Sequence, residues 1–580
     1  MQNLDSSKAD DFEMDSSAVN AGLAQNIVQN VAQKTPHSVS QNLPQSDAPN
    51  YGVAPADCNP AYSLERAAQA RPQRPVIYYE DTCYKAAEAN LLTRQLAEFL
   101  YAQGLRPGER LCLVAANSPY HLFLHTACAR LGAIFVPISP RSSLPELQAM
   151  WRAASPYLLV VDHLESAAGA LEVAWKEYCR QASGAACVPV WEIFTLAAAI
   201  QKYPGQLRSL LAAEISQSAQ AVPAALNTLR YPQGAALIIF TSGTAGQPKA
   251  VELTHGQLWW AAQNFRAGFE YSPADVELVA APLTHIGGFN GTTLDIFSHG
   301  GTVVIVKEFS AGTVLKHLQR YRVNMMFGVP AMYSALLQHP DFPHTDLSAF
   351  RLPLIGGAAA DPQLLQKLMA AGLPMLNVWG MTETGGAGCC LPADNLAQAL
   401  GSIGQPFPYM EGCIVDPDTG QPSQSGELWL RGANIASSCR QEGSLTEAGW
   451  LPTGDLVKVD ANGFLWVEGR LHNLINSGGE KIAPLEVEKV LARYPGVQEC
   501  AVLGVADSRW GEQVAAALAL EKDAAAPSLE EIQEFSAAYL ARYKLPRRLK
   551  IFSHLPKSPN GKIDYRALKE VFKSNDSLPL

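Results

Sequence analysis

The chain has 580 residues, 48% of them apolar and 17% charged, with a formal net charge of −10 and eleven cysteines. That length exceeds one ordinary core and predicts several domains, while the acidic balance excludes a nucleic-acid binder that works by counterion release. Its longest apolar runs fall short of the ~18 residues that span a bilayer, and scattered thiols without Cys/His metal spacing point to a reducing compartment, so a cytoplasmic enzyme with no membrane span is expected.

Residues 1–57 are rich in Ser, Gln, Asn, Asp and Ala without a sustained period, which predicts a disordered N-terminal tail with no secretory leader. From residue 58, helical runs such as "ANLLTRQLAEFLYAQGL" alternate with short apolar strands such as "RLCLVAAN" and "GAIFVPI", the pattern of an α/β domain with a largely parallel sheet. His121 and His125 stand one helical turn apart without the acid of an H-E-x-x-H site, so packing is their expected role. An Ala-rich stretch over 165–229 is weakly patterned and is expected to hold surface helices and a linker.

The run Ala236 to Phe240 then predicts a buried strand, followed at once by a loop. There Thr241, Ser242 and Thr244 offer hydroxyls, Gly243 and Gly246 permit close backbone approach, and Lys249 adds a cation, as a phosphate cradle needs. The spacing is not that of a Walker loop, and a plain Ser/Thr/Gly-rich surface loop is the alternative reading. Strands resume in "LVAAPLTH", "GTVVIV", "VNMMFGVP", "RLPLIGG" and "LPMLNVWG", each ending where ligand loops sit in open α/β sheets. Cys389 and Cys390 are expected to be small buried apolar groups. From Gly401 short strands predict a small β subdomain, and beyond a hinge at 469–473 the tail predicts a compact α+β unit. The expected organisation is a tail over 1–57, an N-terminal domain of parallel α/β subdomains plus the β subdomain over 58–469, and a mobile α+β lid over 470–580.

Four further strings, "LNVWGMTETGG", "WLPTGDLVKV", "GRLHNLINSGGEKIAPLEVE" and "LPKSPNGKIDYRAL", follow that loop in order. Together the five resemble the adenylate-forming (AMP-binding) superfamily, in its acyl-CoA synthetase or acid–CoA ligase branch, over roughly residues 60–570. The resemblance implies ATP, Mg2+ and coenzyme A as cofactors, and a carboxylic acid that attacks the α-phosphorus before a thiol displaces AMP. It implies that Thr241, Ser242, Gly243, Thr244 and Lys249 wrap the β- and γ-phosphates, that Thr382 touches the α-phosphate and that Glu383 holds the metal. Trp379, where the family usually has tyrosine, would stack on adenine, with Gly357, Ala358 and Asn377 lining the base. Asp455 would bind the ribose hydroxyls and Arg470 the sugar or α-phosphate. Lys562 would bridge the substrate carboxylate and α-phosphate during adenylation.

By the same resemblance His472 occupies the hinge position, where Asp or Lys is common, and imidazole could make that hinge titratable near neutral pH. Gly478 and Gly479 would lie along pantetheine. His285 would stand at the gate to the acyl pocket, packing at a strand end being its alternative role. That pocket, from "PLTHIGGFNG", "FGVPAMY", "LIGGAAAD" and "GMTETGGAGCC", is small-residue, apolar and nearly free of cations. Gly287 and Gly288 stand where amino-acid-activating relatives carry an aspartate, which disfavours an amino acid and leaves an aryl or medium- to long-chain acyl acid. The acceptor is CoA or an acyl-carrier protein; a catalytically dead nucleotide-binding protein is the remaining alternative.

Overall fold

The computed structural model describes residues 58–162, 168–182, 190–202, 234–242, 248–436, 438–439, 443–477, 480–507, 509–522, 524–557 and 562–573. The tail over 1–57, Gly243, Thr244, Gly246, Gly478 and Gly479 lie outside the described residues. The protein is α/β, with two largely parallel sheets, one antiparallel sheet and a C-terminal unit with its own sheet.

The largest sheet has nine strands, in the order Gln405–Pro406, Cys389–Cys390, Leu376–Trp379, Leu352–Gly356, Met325–Gly328, Val276–Val279, Thr302–Ile305, Pro75–Tyr79 and Thr82–Lys85. The six strands from Leu376–Trp379 to Pro75–Tyr79 pair in parallel, and antiparallel partners flank them. Buried β-branched and Leu-rich runs such as Thr302–Ile305 suit strands covered on both faces. The six-stranded sheet runs Trp191–Glu192, Leu158–Val161, Arg110–Val114, Ile134–Ile138, Ala235–Ser242 and Pro248–Thr254, parallel except for the last pair.

Two expectations change at this point. Thr241 and Ser242 continue the buried strand, and Lys249 stands on the returning strand opposite Thr241; the apolar run understated the strand because its last two residues are hydroxyl-bearing. The stretch over 165–229 is also more than surface and linker. Its helix Ala168–Ala182 buries Trp175 edge-on against Trp151, with ring centroids 5.3 Å apart, and Trp191–Glu192 adds an edge strand. The alanine background dilutes a pattern that two tryptophans anchor.

His121 and His125 are fully buried on the helix Tyr120–Leu131, which ends at Gly132 in the left-handed conformation (φ 70°). Among the described residues no group of three or more His, Cys, Asp or Glu is placed to hold a metal ion. Cys389 and Cys390 are buried free thiols, and burial pushes Cys390 up to about 12. No described helix is long and apolar enough to cross a membrane.

The antiparallel sheet orders Met410–Val415, Ser425–Gly432, Leu451–Val459 and Leu465–Arg470. After the short turn Leu471–Asn473 comes the C-terminal unit, built on the long hairpin Val497–Asp507 and Gly511–Leu520 with Arg548–Phe552 parallel beside it. The helices Pro484–Leu491 and Tyr565–Lys573 cover it. Its apolar side chains form two clusters separate from the N-terminal core, as a unit able to move as a body requires. Lys481 Nζ meets Asp418 Oδ1 at 2.7 Å and Lys489 Nζ donates to Val467 O at 2.9 Å, joining the unit to the antiparallel sheet.

Candidate functional site

Parallel strands end on one side of a sheet, where their loops collect ligand-binding groups. After Leu376–Trp379 the chain makes the tight turn Thr382–Thr384, followed by Gly385 (φ 62°) and Gly386 (φ 95°), both in the left-handed region that favours glycine. Two buried asparagines fix this turn. Asn434 Nδ2 donates to Thr384 O at 2.7 Å and Ala387 O at 2.9 Å, and Asn290 Nδ2 donates to Gly385 O at 3.0 Å. Sequence reasoning missed both, since a lone asparagine carries no motif until the carbonyls it satisfies are known.

The turn leaves Glu383 facing Lys249, with Nζ 3.8 Å from Oε1 and the carboxylate side chain 13% exposed. Directly opposite residues on paired strands share a face, so Thr241 and Lys249 sit together on the hairpin. The Glu383 carboxylate suits Mg2+, which is commonly held by one or two carboxylates together with substrate phosphate oxygens, and the Lys249 cation suits those phosphates.

A second group forms where Leu451–Val459 meets the end of Leu376–Trp379. Gly454 takes φ 75°, and its N–H donates to Glu427 Oε1 at 2.8 Å; Thr453 Oγ1 donates to Leu428 O and accepts from Asp455 N. These bonds set Asp455, which is 5% exposed. Trp379 Nε1 donates to Asp455 Oδ2 at 3.0 Å, and Arg470 Nε, its cross-strand partner, stands 2.7 Å from Oδ1. Oδ1 thus carries the Arg470 ion pair and no other polar contact among the described residues. A hydroxyl donor suits it. Burial raises the Asp455 carboxyl above its ordinary value, opposed by Arg470, the Trp379 N–H and Lys562.

Lys562 comes to the same place from the C-terminal unit. Burial and the nearby Arg470 lower its amine, and Asp455 opposes the shift. The structure thus gathers Trp379, Asp455, Arg470 and Lys562, with Lys249 and Glu383 as a second pair.

The other candidates lie around these. Gly357 (φ 77°) and Ala358 are exposed just past Leu352–Gly356. Asn377 spends its amide on Ser402 O at 2.7 Å, so that donor is committed within the fold. Thr382 is half-buried in the turn, and His285 is half-buried before the short helix Ile286–Phe289. His472 is exposed in the connecting turn. Between Gly287 and Gly356 lies the half-buried ring of Phe327: a Cβ on Gly287 would stand 2.9 Å from Phe327 Cε1, and one on Gly356 would stand 3.1 Å from Cε2.

Comparison with known proteins gives consistent matches. Residues 64–438 match the family model "AMP-binding enzyme" and residues 486–562 match "AMP-binding enzyme C-terminal domain". A feruloyl-CoA synthase of an Amycolatopsis species is 32% identical, over 86% of this chain and 96% of the relative. An indoleacetate–CoA ligase of Aromatoleum aromaticum is 31% identical, over 86% of this chain and 95% of the relative. The crystal structure of o-succinylbenzoate CoA synthetase from Bacillus subtilis, in complex with its acyl-adenylate intermediate, superposes with a TM-score of 0.73 at 27% identity, covering 89% of this chain and 99% of that one.

Proposed function

The chain belongs to the AMP-binding enzyme family, and from that premise we propose that it is an AMP-forming acid–CoA ligase acting on an aryl acid. It joins a carboxylic acid to coenzyme A in two half-reactions. The carboxylate first attacks the α-phosphorus of ATP, releasing pyrophosphate; the CoA thiol then attacks the acyl carbonyl, and AMP leaves. The convergence of Lys562 on Asp455 and Arg470 carries this reading.

Both partners in the first half-reaction are anions, so cations must be preset where negative charge gathers. Lys249, with Thr241 and Ser242 of the hairpin and the adjoining Gly243 and Thr244, binds the β- and γ-phosphates. Thr382 donates to the α-phosphate. Glu383 would hold Mg2+, which when bound neutralises phosphate charge. Asp455 accepts from the ribose hydroxyls through Oδ1, Arg470 reaches the sugar side of the α-phosphate, and Trp379 stacks on the base, lined by Gly357, Ala358 and Asn377. Lys562 stabilises the attacking carboxylate and the α-phosphate together.

The second half-reaction requires Lys562 to withdraw. His472 is the pivot on which residues 470–580 turn against residues 58–469, bringing Gly478 and Gly479 to the pantetheine arm. Free CoA is the acceptor, and the work is cytoplasmic, where CoA and ATP are supplied.

The acid's far end lies beyond His285, between Gly287, Gly356 and Phe327. An uncharged wall of glycine and one aromatic ring favours a planar aryl group over an amino acid or a second carboxylate, and relatives named for ferulic and indoleacetic acids agree.

The test is a panel of aryl and fatty acids assayed for acid-dependent pyrophosphate release and for thioester formation with free CoA. In the same assay Lys562→Ala should lose about three powers of ten in adenylate formation. A unit charge at ~4 Å is worth roughly 4 kcal/mol at an effective dielectric near 20. Thioester formation from a supplied adenylate should be spared, and equal loss in both steps would remove the assignment.

A further inference from the structure

We propose that Trp379 is a positioning residue for Asp455: its indole N–H presets the carboxylate for a ribose rather than a deoxyribose, so that this chain selects its nucleotide sugar through an aromatic side chain. The inference rests on the ribose-binding role given to Asp455 above and adds to it the residue that holds the acid in place.

The geometry is specific. The indole N–H lies in the ring plane, so donating to Asp455 Oδ2 at 3.0 Å leaves the ring face available to a base. The ring is fixed by its own packing, since a Cβ on Gly388 would stand 2.6 Å from Trp379 Cε3 and Cζ3. Asp455 is therefore clamped from two sides, by Trp379 at Oδ2 and by Arg470 beside Oδ1. Oδ1 holds the Arg470 ion pair and accepts from no other described residue, which leaves it room for a sugar hydroxyl.

A carboxylate held in one rotamer meets the sugar hydroxyls without first losing rotational freedom. Phenylalanine keeps a stacking ring and has no donor. Tyrosine places its hydroxyl at the far end of the ring and cannot donate from the position of Nε1. Both substitutions thus separate stacking from positioning.

The experiment compares kcat/KM for ATP and 2′-deoxyATP in the parent, Trp379→Phe, Trp379→Tyr, Asp455→Asn and the double variant Trp379→Phe/Asp455→Asn. A hydrogen bond to a charged acceptor corresponds to about a tenfold effect. The preference for ATP should therefore fall about tenfold in both Trp379 variants, mainly through KM for ATP, and Trp379→Phe should add nothing once Asp455 is Asn. A parent-like preference in a folded Trp379→Phe or Trp379→Tyr enzyme would overturn the inference, as would full additivity in the double variant. If Asp455→Asn alone leaves the preference intact, the failure lies instead with the ribose assignment of Asp455.

Discussion

Tyr565 Oη donates a 2.8 Å hydrogen bond to Glu488 Oε1, tying the residue three places after Lys562 to the helix Pro484–Leu491. The same carboxylate oxygen accepts from Val502 N at 2.8 Å. Asp564 N donates to Pro556 O at 2.8 Å, and Lys557 bridges to Ile563. The described residues on either side of 558–561 are thus bridged to each other, and a phenol anchors the chain just beyond Lys562. Tyr565→Phe removes the anchor without changing ring volume, so adenylate formation should fall about tenfold, the usual worth of a hydrogen bond to a charged acceptor. Under the role proposed for Lys562, thioester formation from a supplied adenylate should change little. Single-turnover rates of the two half-reactions measure this, and parallel losses would contradict it.

His472 lies in the 3₁₀ turn Leu471–Asn473, a backbone class whose ordinary φ overlaps the value that proline fixes. The present pose, in which Lys481 meets Asp418 and Lys562 reaches Asp455, is therefore compatible with proline at 472. Rotation about that residue is not. His472→Pro should retain acid-dependent pyrophosphate release and lose thioester formation by a hundredfold or more, with the adenylate accumulating on the enzyme. Retention of full CoA ligation would show that the unit turns elsewhere.

Much of this was legible in the sequence, and the reasons differ by element. Buried parallel strands announce themselves as short apolar runs, and Lys249, Asp455 and Lys562 stand out because they sit in strings that resemble the motifs of one enzyme family. What the strings do not contain is the distance between them. That Trp379 bonds to Asp455 depends on the antiparallel sheet meeting the end of a strand 76 residues earlier in sequence, which no local pattern encodes. Asn290 and Asn434 escaped for the same reason. That the helix Ala168–Ala182 packs into the fold was hidden by composition, its alanines masking the tryptophan that sets its packing.

Gly287 and Phe327 give the acyl end a steric test. A Cβ at 287 would stand 2.9 Å from Phe327 Cε1, closer than side-chain carbons pack, so Gly287→Ala must displace the ring. If the acid's aryl end lies beside this ring, as proposed, kcat/KM for bulky aryl acids should fall at least tenfold in Gly287→Ala while KM for ATP stays near the parent value. Phe327→Leu in the same chain should recover part of the loss. The acid panel reads both effects; an unchanged order of acids in Gly287→Ala would place the acyl group elsewhere.

Buried ionisable groups should give stability a readable pH dependence. His121 is lowered to about 4 and His255 to about 3 by burial, and His125 is lowered well below its ordinary value by burial and by its neighbour His255, 5.6 Å away between ring centroids. Both ring nitrogens of His125 lack a hydrogen-bond partner among the described residues. A histidine kept neutral by the fold stabilises fully above its unfolded value of about 6.5, and that stability drains as pH falls below it, because the unfolded chain takes up a proton the native one refuses. Glu277 behaves oppositely. Burial raises it to about 8, against hydrogen bonds from Thr292 and Thr293, so its contribution is complete below about 4.5 and drains as pH rises toward 8. His125→Leu should therefore gain on the parent by about 1.4 kcal/mol per pH unit below 6.5 and run parallel to it above, whereas Glu277→Gln should gain at that rate between about 4.5 and 8. Denaturant midpoints from pH 4.5 to 8 measure both slopes. Identical pH profiles for parent and His125→Leu would mean that the buried imidazole reaches water in the native state.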